Sequence, residues 1–225
     1  MEGQYIIFIV IAIFVVLAGI FGAIAAKKRR EAIVLLATKL GLHFDPGHDT
    51  YIATRFGFMD RLGQGSNRYA YNVLSGSYGG YELLAFDYHY ETHSTDSKGR
   101  RQTHHHHFSF FICNLPREFP EVTISKEGIF SKIAQGFGYD DIDFESAEFS
   151  AKFCVRSKDK KFAYDVCNAQ MIEYLLANPG LNIEIEDTAL ALGFGSCLAA
   201  EKIEYNLERL VKIRSLLPEY LFTKV

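Results

Sequence analysis

The fold class predicted for this chain is α+β: an antiparallel sheet meander with segregated helices, preceded by one N-terminal transmembrane helix. Three observations predict it. An unbroken apolar run lies near the N-terminus, three aromatic-rich extended segments follow one another through turn residues, and later segments repeat their apolar residues every three or four positions. Strands joined as hairpins, with the helices set apart from them, do not form a doubly wound parallel sheet.

Tyr5 to Ala26 is a run of 22 residues without a charge, YIIFIVIAIFVVLAGIFGAIAA. As a helix it is roughly 33 Å long and covers the hydrocarbon core of a bilayer. Ala23-Ile24-Ala25 resembles a small-x-small cleavage site, so a removable leader is the competing reading. The run is too long for a leader, and Glu2 rather than a cation precedes it. Lys27, Lys28, Arg29 and Arg30 follow at once. Cations in this position stay on the cytoplasmic side, which predicts an outside N-terminus and an inside domain. The chain thus divides into an anchor with its basic flank, residues 1–30, and a cytoplasmic α+β domain, residues 31–225. Ala18 and Gly22, like Gly19 and Ala23, have a spacing that lets two helices approach closely, although small residues are ordinary in membrane helices.

Beyond the cations, Ile33, Leu36, Ala37 and Leu40 fall at helical spacing and Gly41 supplies a stop, so a juxtamembrane helix continues from the anchor or hinges against it. Phe44 to Asn67 contains Pro46 and several glycines and has no helical period, which predicts irregular structure. From Arg68, RYAYNVLSG and YELLAFDYHYETH read as strands around a turn at Gly79-Gly80. THHHHFSFFICN supplies a third strand, ended by Pro116 and Pro120. SKEGIFSKIAQGFG predicts a short helix and EFSAKFCVRS an extended segment. Phe162, Val166, Ala169, Ile172 and Leu176 mark one helix that NPG stops. LNIEIEDTALALGFG predicts a hairpin with Asn182, Glu184 and Glu186 on its wet face. A final helix, 199–217, carries Ile203, Leu207, Leu210, Val211 and Leu217 on one stripe.

With 48% hydrophobic and 14% aromatic residues in a chain of 225, there is material for one substantial core, and disorder is excluded for most of it. Taking Glu2 and the four cations from the net charge of -3 leaves -6 on residues 31–225. An acidic body of that kind argues against nucleic-acid binding. Cys113, Cys154, Cys167 and Cys197 contain no CxxC pair and fit reduced cytoplasmic thiols. Outside the cell, two disulfides in any of three pairings become available to them.

The order of these pieces resembles a known family. The basic-flanked span, GLHF, NVLSGSYGGYELLAFDYHY, a following LP, FSAKFCV and a late IEIEDTALAL are similar to uncharacterised bacterial membrane-anchored proteins of the DUF3137 group, which carry a domain of unknown function. The likeness covers most of residues 31–217 and rests on turn glycines and core aromatics. It implies a prokaryotic membrane protein and brings no catalytic residues with it.

The four consecutive histidines His104 to His107 raise the question of chemistry. If the apolar faces of the second and third strands match, even residues pair with even residues. With the loop centred on Lys98, His89 then lies opposite His107, and Glu91 opposite His105. His89, Glu91, His105 and His107 form a candidate metal set, suited to zinc, nickel or copper. Two other readings remain: a polar strand surface, which is the default, and a proton-sensitive imidazole group.

No catalytic constellation competes. Cys113 reads as a buried structural thiol rather than a nucleophile. GFGSC lacks the order of a nucleophile elbow, LGQGSNR lacks a phosphate-binding loop's Lys and third glycine, and Asp140, Asp141, Asp143 and Glu145 lack EF-hand spacing. The expected function is therefore a protein-interaction or scaffolding module at the membrane, whose partners are the lipid bilayer and a membrane protein or a second copy in a homo-oligomer. A metal-binding enzyme or sensor on the histidine-rich hairpin face is the alternative.

Overall fold

A computed structural model of the chain describes residues 2–126 and 141–223. Helix α1 runs unbroken from Glu2 to Leu40, so anchor and juxtamembrane helix are one rod with no hinge. It ends where Gly41 takes a φ of +69°, the left-handed conformation in which glycine carries no Cβ penalty. Its first part is apolar on every side and exposed, from Ile7 and Phe8 to Phe21 and Ile24, and the helix is long and apolar enough to cross a membrane. Its last part enters the domain, where Ile33 and Ala37 are buried.

The sheet has six antiparallel strands: β1 (His43–Asp45), β2 (Ser66–Tyr78), β3 (Tyr81–Thr95), β4 (Arg101–Lys126), β5 (Phe153–Ser157) and β6 (Ile183–Gly193). Strands β2 to β4 form the expected meander, and β1 adds a short strand at the β2 edge. The long β4 is shared: β3 pairs with its first half, β5 takes over the same edge near its end, and β6 lines the other edge. Both faces of the sheet are covered. On one, Ala37, Ala85, Phe111, Leu192, Leu207 and Leu210 pack between the sheet and the helices; on the other, Phe56, Met59 and Leu62 pack on Phe86, Tyr88 and Phe110.

Several sequence expectations need correction. Within 44–67, Thr50–Arg55 forms α2, whose N-terminus Asp49 caps by accepting from the Tyr51 and Ile52 amides; six residues are too few to display a period. Pro116 and Pro120 do not end β4. They lie in and beside two register shifts against β6, where a residue without an N–H is tolerated. The first half of the segment 148–157, expected to be extended throughout, belongs to a short helix, α3 (Ala147–Lys152), capped by Ser146, and only Phe153–Ser157 is strand. The single helix expected over 162–176 is two, α4 (Lys160–Val166) and α5 (Ala169–Ala177), because Asn168 caps a fresh start by accepting from the Met171 amide.

The expected hairpin over 181–195 is the single strand β6. Asp187 has a φ of +52° and bends the strand without reversing it. Glu184, assigned to a wet face, is buried. The final helix, α6 (Ile203–Leu216), follows a short 3-10 turn and places its stripe in the core as expected, with Val211 at the edge. Of the segment 125–138, expected to hold a short helix, Ser125 and Lys126 belong to β4 and the rest lies outside the described residues.

Candidate functional site

Along β3 the odd-numbered residues change character with distance from the core. Leu83 and Ala85 are buried among the helices, Asp87 is buried and charged, and His89, Glu91 and His93 follow on the same face. The register is the one the alternation requires, with His89 opposite His107 and Glu91 opposite His105. The turn that sets it is closed by Asp96, whose carboxylate accepts from the Lys98 and Arg100 amides.

Asp87 meets the cationic flank of the anchor. Arg29 donates from Nη1 to Oδ2 at 2.6 Å and from Nη2 to Oδ1 at 2.9 Å, a bidentate pair. Its Nε donates to the Leu198 carbonyl at 2.8 Å. Asn72 Nδ2 and Ser109 Oγ donate to the same carboxylate at 3.0 and 2.8 Å. The buried charge is therefore both paired and fully hydrogen-bonded, the condition under which burial of a carboxylate is tolerated.

Beyond this lock a row of rings crosses the sheet. His48 stacks on Tyr69 with centroids 4.1 Å apart, Tyr69 on His89 at 4.6 Å, and His107 lies 4.7 Å from His89. Three of the four candidate metal ligands converge. His89 Nε2 is 3.1 Å from His105 Nδ1, His105 Nδ1 is 3.5 Å from Glu91 Oε1, and the ligand atoms of all three lie within 4.8 Å of one another. The fourth does not join them: His107 Nδ1 is 3.1 Å from the Tyr71 hydroxyl, beside Cys197. His104 and His106 leave on the opposite face, where His106 stacks on Tyr90 and bonds Thr92, and His104 bonds Ser94.

The residue that organises the trio, Asn67, has no signature in the sequence. It sits in an irregularity of β2 with a φ of +50°, a conformation asparagine adopts more readily than other side chains. Its carbonyl accepts from His89 Nδ1 at 3.0 Å, and its Nδ2 donates to Glu91 Oε1 at 2.7 Å. In neutral His89 the Nδ1 proton is thereby fixed and Nε2 carries a lone pair directed at His105. The Asn67 amide and the surrounding imidazoles hold the Glu91 carboxyl below its usual range, so it is an anion. Burial, then its neighbours His89 and His105, lowers the His107 pKa and favours the neutral ring.

Cys113 and Cys197 are poor candidates for a nucleophile. Burial pushes Cys113 up to about 11, and Cys197 is likewise raised, chiefly by burial. No disulfide is formed among the described residues.

No protein-family model matches this chain, and no curated protein matches it. Among solved structures, the crystal structure of the mycobacterial trehalose monomycolate transport factor A, TtfA, is similar with a TM-score of 0.56 at 11% identity. The match covers 85% of this chain and 95% of that one. At such identity the likeness establishes that the two chains share an α+β fold.

Proposed function

We propose that this chain is a single-pass protein of the inner membrane whose cytoplasmic domain is a protein-interaction or scaffolding module. The observation that carries the proposal is the build of α1. One end is exposed and apolar on every side, and the other is packed into the domain and tied to it through Arg29 and Asp87. A domain held this way stays at the membrane surface in a fixed attitude, which suits contact with a membrane protein or with a second copy of the chain. Orientation rests on the four cations after the span. The mycobacterial neighbour of the same fold is a transport factor, a role with which a non-catalytic membrane module is consistent.

Val34 and Leu35 leave an apolar strip on the outer side of α1, Leu35 being 72% exposed. A photo-crosslinking residue at Leu35, used in intact membranes, is expected to capture a protein partner or a second copy, whereas one at exposed Glu201 captures neither. Equal capture at both positions, or at neither, removes the interaction reading. A reporter fused after Val225 is expected to be active only on the cytoplasmic side, and external activity overturns the orientation.

A further inference from the structure

We propose that His89, Glu91 and His105 form a binding site for a divalent transition metal of the zinc class, independent of any protein partner. A zinc tetrahedron with metal–ligand distances near 2.0 Å has ligand–ligand edges of about 3.3 Å. Two edges are present already: 3.1 Å between His89 Nε2 and His105 Nδ1, and 3.5 Å between His105 Nδ1 and Glu91 Oε1. Two imidazole nitrogens and one carboxylate oxygen are a donor set that zinc favours, and they leave a further position open to solvent or a ligand.

What separates this trio from an accidental group of polar side chains is the support behind it. Metal-bound histidines hold their second nitrogen in a hydrogen bond that fixes the tautomer, and His89 Nδ1 does so with the Asn67 carbonyl. Ligating carboxylates are themselves hydrogen-bonded, and Glu91 is held by the Asn67 side chain. One residue at positive φ thus orients two ligands from opposite ends of its own structure. The Tyr69 ring stacks on His89 and is itself stacked on by His48, and His89 is 3% exposed. His105 remains exposed, so an ion can enter from solvent. To accept it, neutral His105 presents the Nδ1 lone pair and carries its proton on Nε2.

The test uses the full chain in nanodiscs, without a polyhistidine tag, titrated with Zn²⁺ against a competing chelator and with Co²⁺ read by its tetrahedral d–d absorption. One equivalent is expected. Glu91→Gln and His105→Ala are expected to lower affinity about 100-fold, and Asn67→Gly, which keeps the carbonyl and the positive φ, about 10-fold. The pair His104→Ala and His106→Ala, on the other face, leaves affinity unchanged. Thermal melts identify any variant that fails to fold, and the exposed His105 carries the test if a more buried position does not. The site is refuted if affinity survives Glu91→Gln and His105→Ala, or if it follows His104 and His106, since the histidine run is then an adventitious chelator.

Discussion

Arg29 and Asp87, 58 positions apart, join the end of the anchor to the middle of the sheet through two hydrogen bonds of 2.6 and 2.9 Å. The Asp87 side chain is 3% exposed and that of Arg29 24%, so solvent screens the pair little. Cations after a membrane span are usually read as a topology signal, but this one is also a structural residue. The residue that ties anchor to domain lies before position 31, so the anchor's basic flank and the domain share one hydrogen-bonded unit.

Removing one partner strands a buried charge. Arg29→Ala is expected to cost about 3–5 kcal/mol, and Arg29→Lys, which loses the fork, to lie in between. Arg29→Leu combined with Asp87→Leu removes both charges and recovers only part of that loss, since Asn72, Ser109 and the Leu198 carbonyl lose their partners. Thermal unfolding of the full chain in nanodiscs measures the cycle, and a single variant as stable as the parent contradicts the role given to the pair.

Stability is expected to fall as pH rises. Burial pushes Glu184 up to about 8, against an ordinary value near 4.3. The folded state therefore binds a proton that the unfolded chain releases. The stabilisation is complete below about pH 4 and is lost progressively as pH climbs to about 8, with a slope of up to about 1.4 kcal/mol per unit for this one group. Glu186, raised to about 7 by burial and by neighbouring carboxylates, acts in the same direction. Glu184→Gln is expected to flatten the curve and to exceed the parent in stability above pH 8. Denaturant titrations at pH 6 and 9 read the difference, and parallel curves for parent and variant argue against a neutral Glu184.

Tyr88 is fully buried on the other face and donates its hydroxyl to the Leu62 carbonyl at 2.7 Å. Tyr88→Phe keeps the ring and leaves that carbonyl only the longer bond from Arg68 Nη1, at 3.4 Å. A loss of about 1–2 kcal/mol is expected by chemical denaturation, while an unchanged midpoint implies that water replaces the hydroxyl.

Asp187 tests the bend in β6. At a φ of +52° a β-branched residue is strained, so Asp187→Val is expected to cost about 1–2 kcal/mol, and Asp187→Gly to be neutral or slightly stabilising. Denaturation midpoints ranked the other way would contradict the bend as its backbone geometry describes it.

The candidate site was half legible before folding. Two-residue periodicity and a symmetric turn suffice to set His89 against His107 and Glu91 against His105, because matching two apolar faces leaves one register. Periodicity cannot choose among the side-chain rotamers, and so His107 turned to Tyr71 while His105 turned to His89. Asn67 and Arg29 were illegible for another reason. Their roles depend on one backbone dihedral and on a contact across the fold, and neither leaves a local pattern. The misread β6 and the divided α4 and α5 fail in opposite senses: Asp187 takes up a turn-like φ without reversing its strand, whereas Asn168 caps a new helix inside an otherwise regular run of apolar spacing.

The continuity of α1 has a mechanical meaning. No proline interrupts residues 2–40, and helices without proline or an inserted group bend only gently. With Arg29 clamped to the sheet, the rod acts as a lever whose long arm lies in lipid. A bilayer of different thickness tilts a spanning helix to match its apolar length, and the domain must swing through the same angle. The histidine-bearing hairpin, which continues β3 and β4 past Asp87 and Ser109, then moves relative to the lipid headgroups.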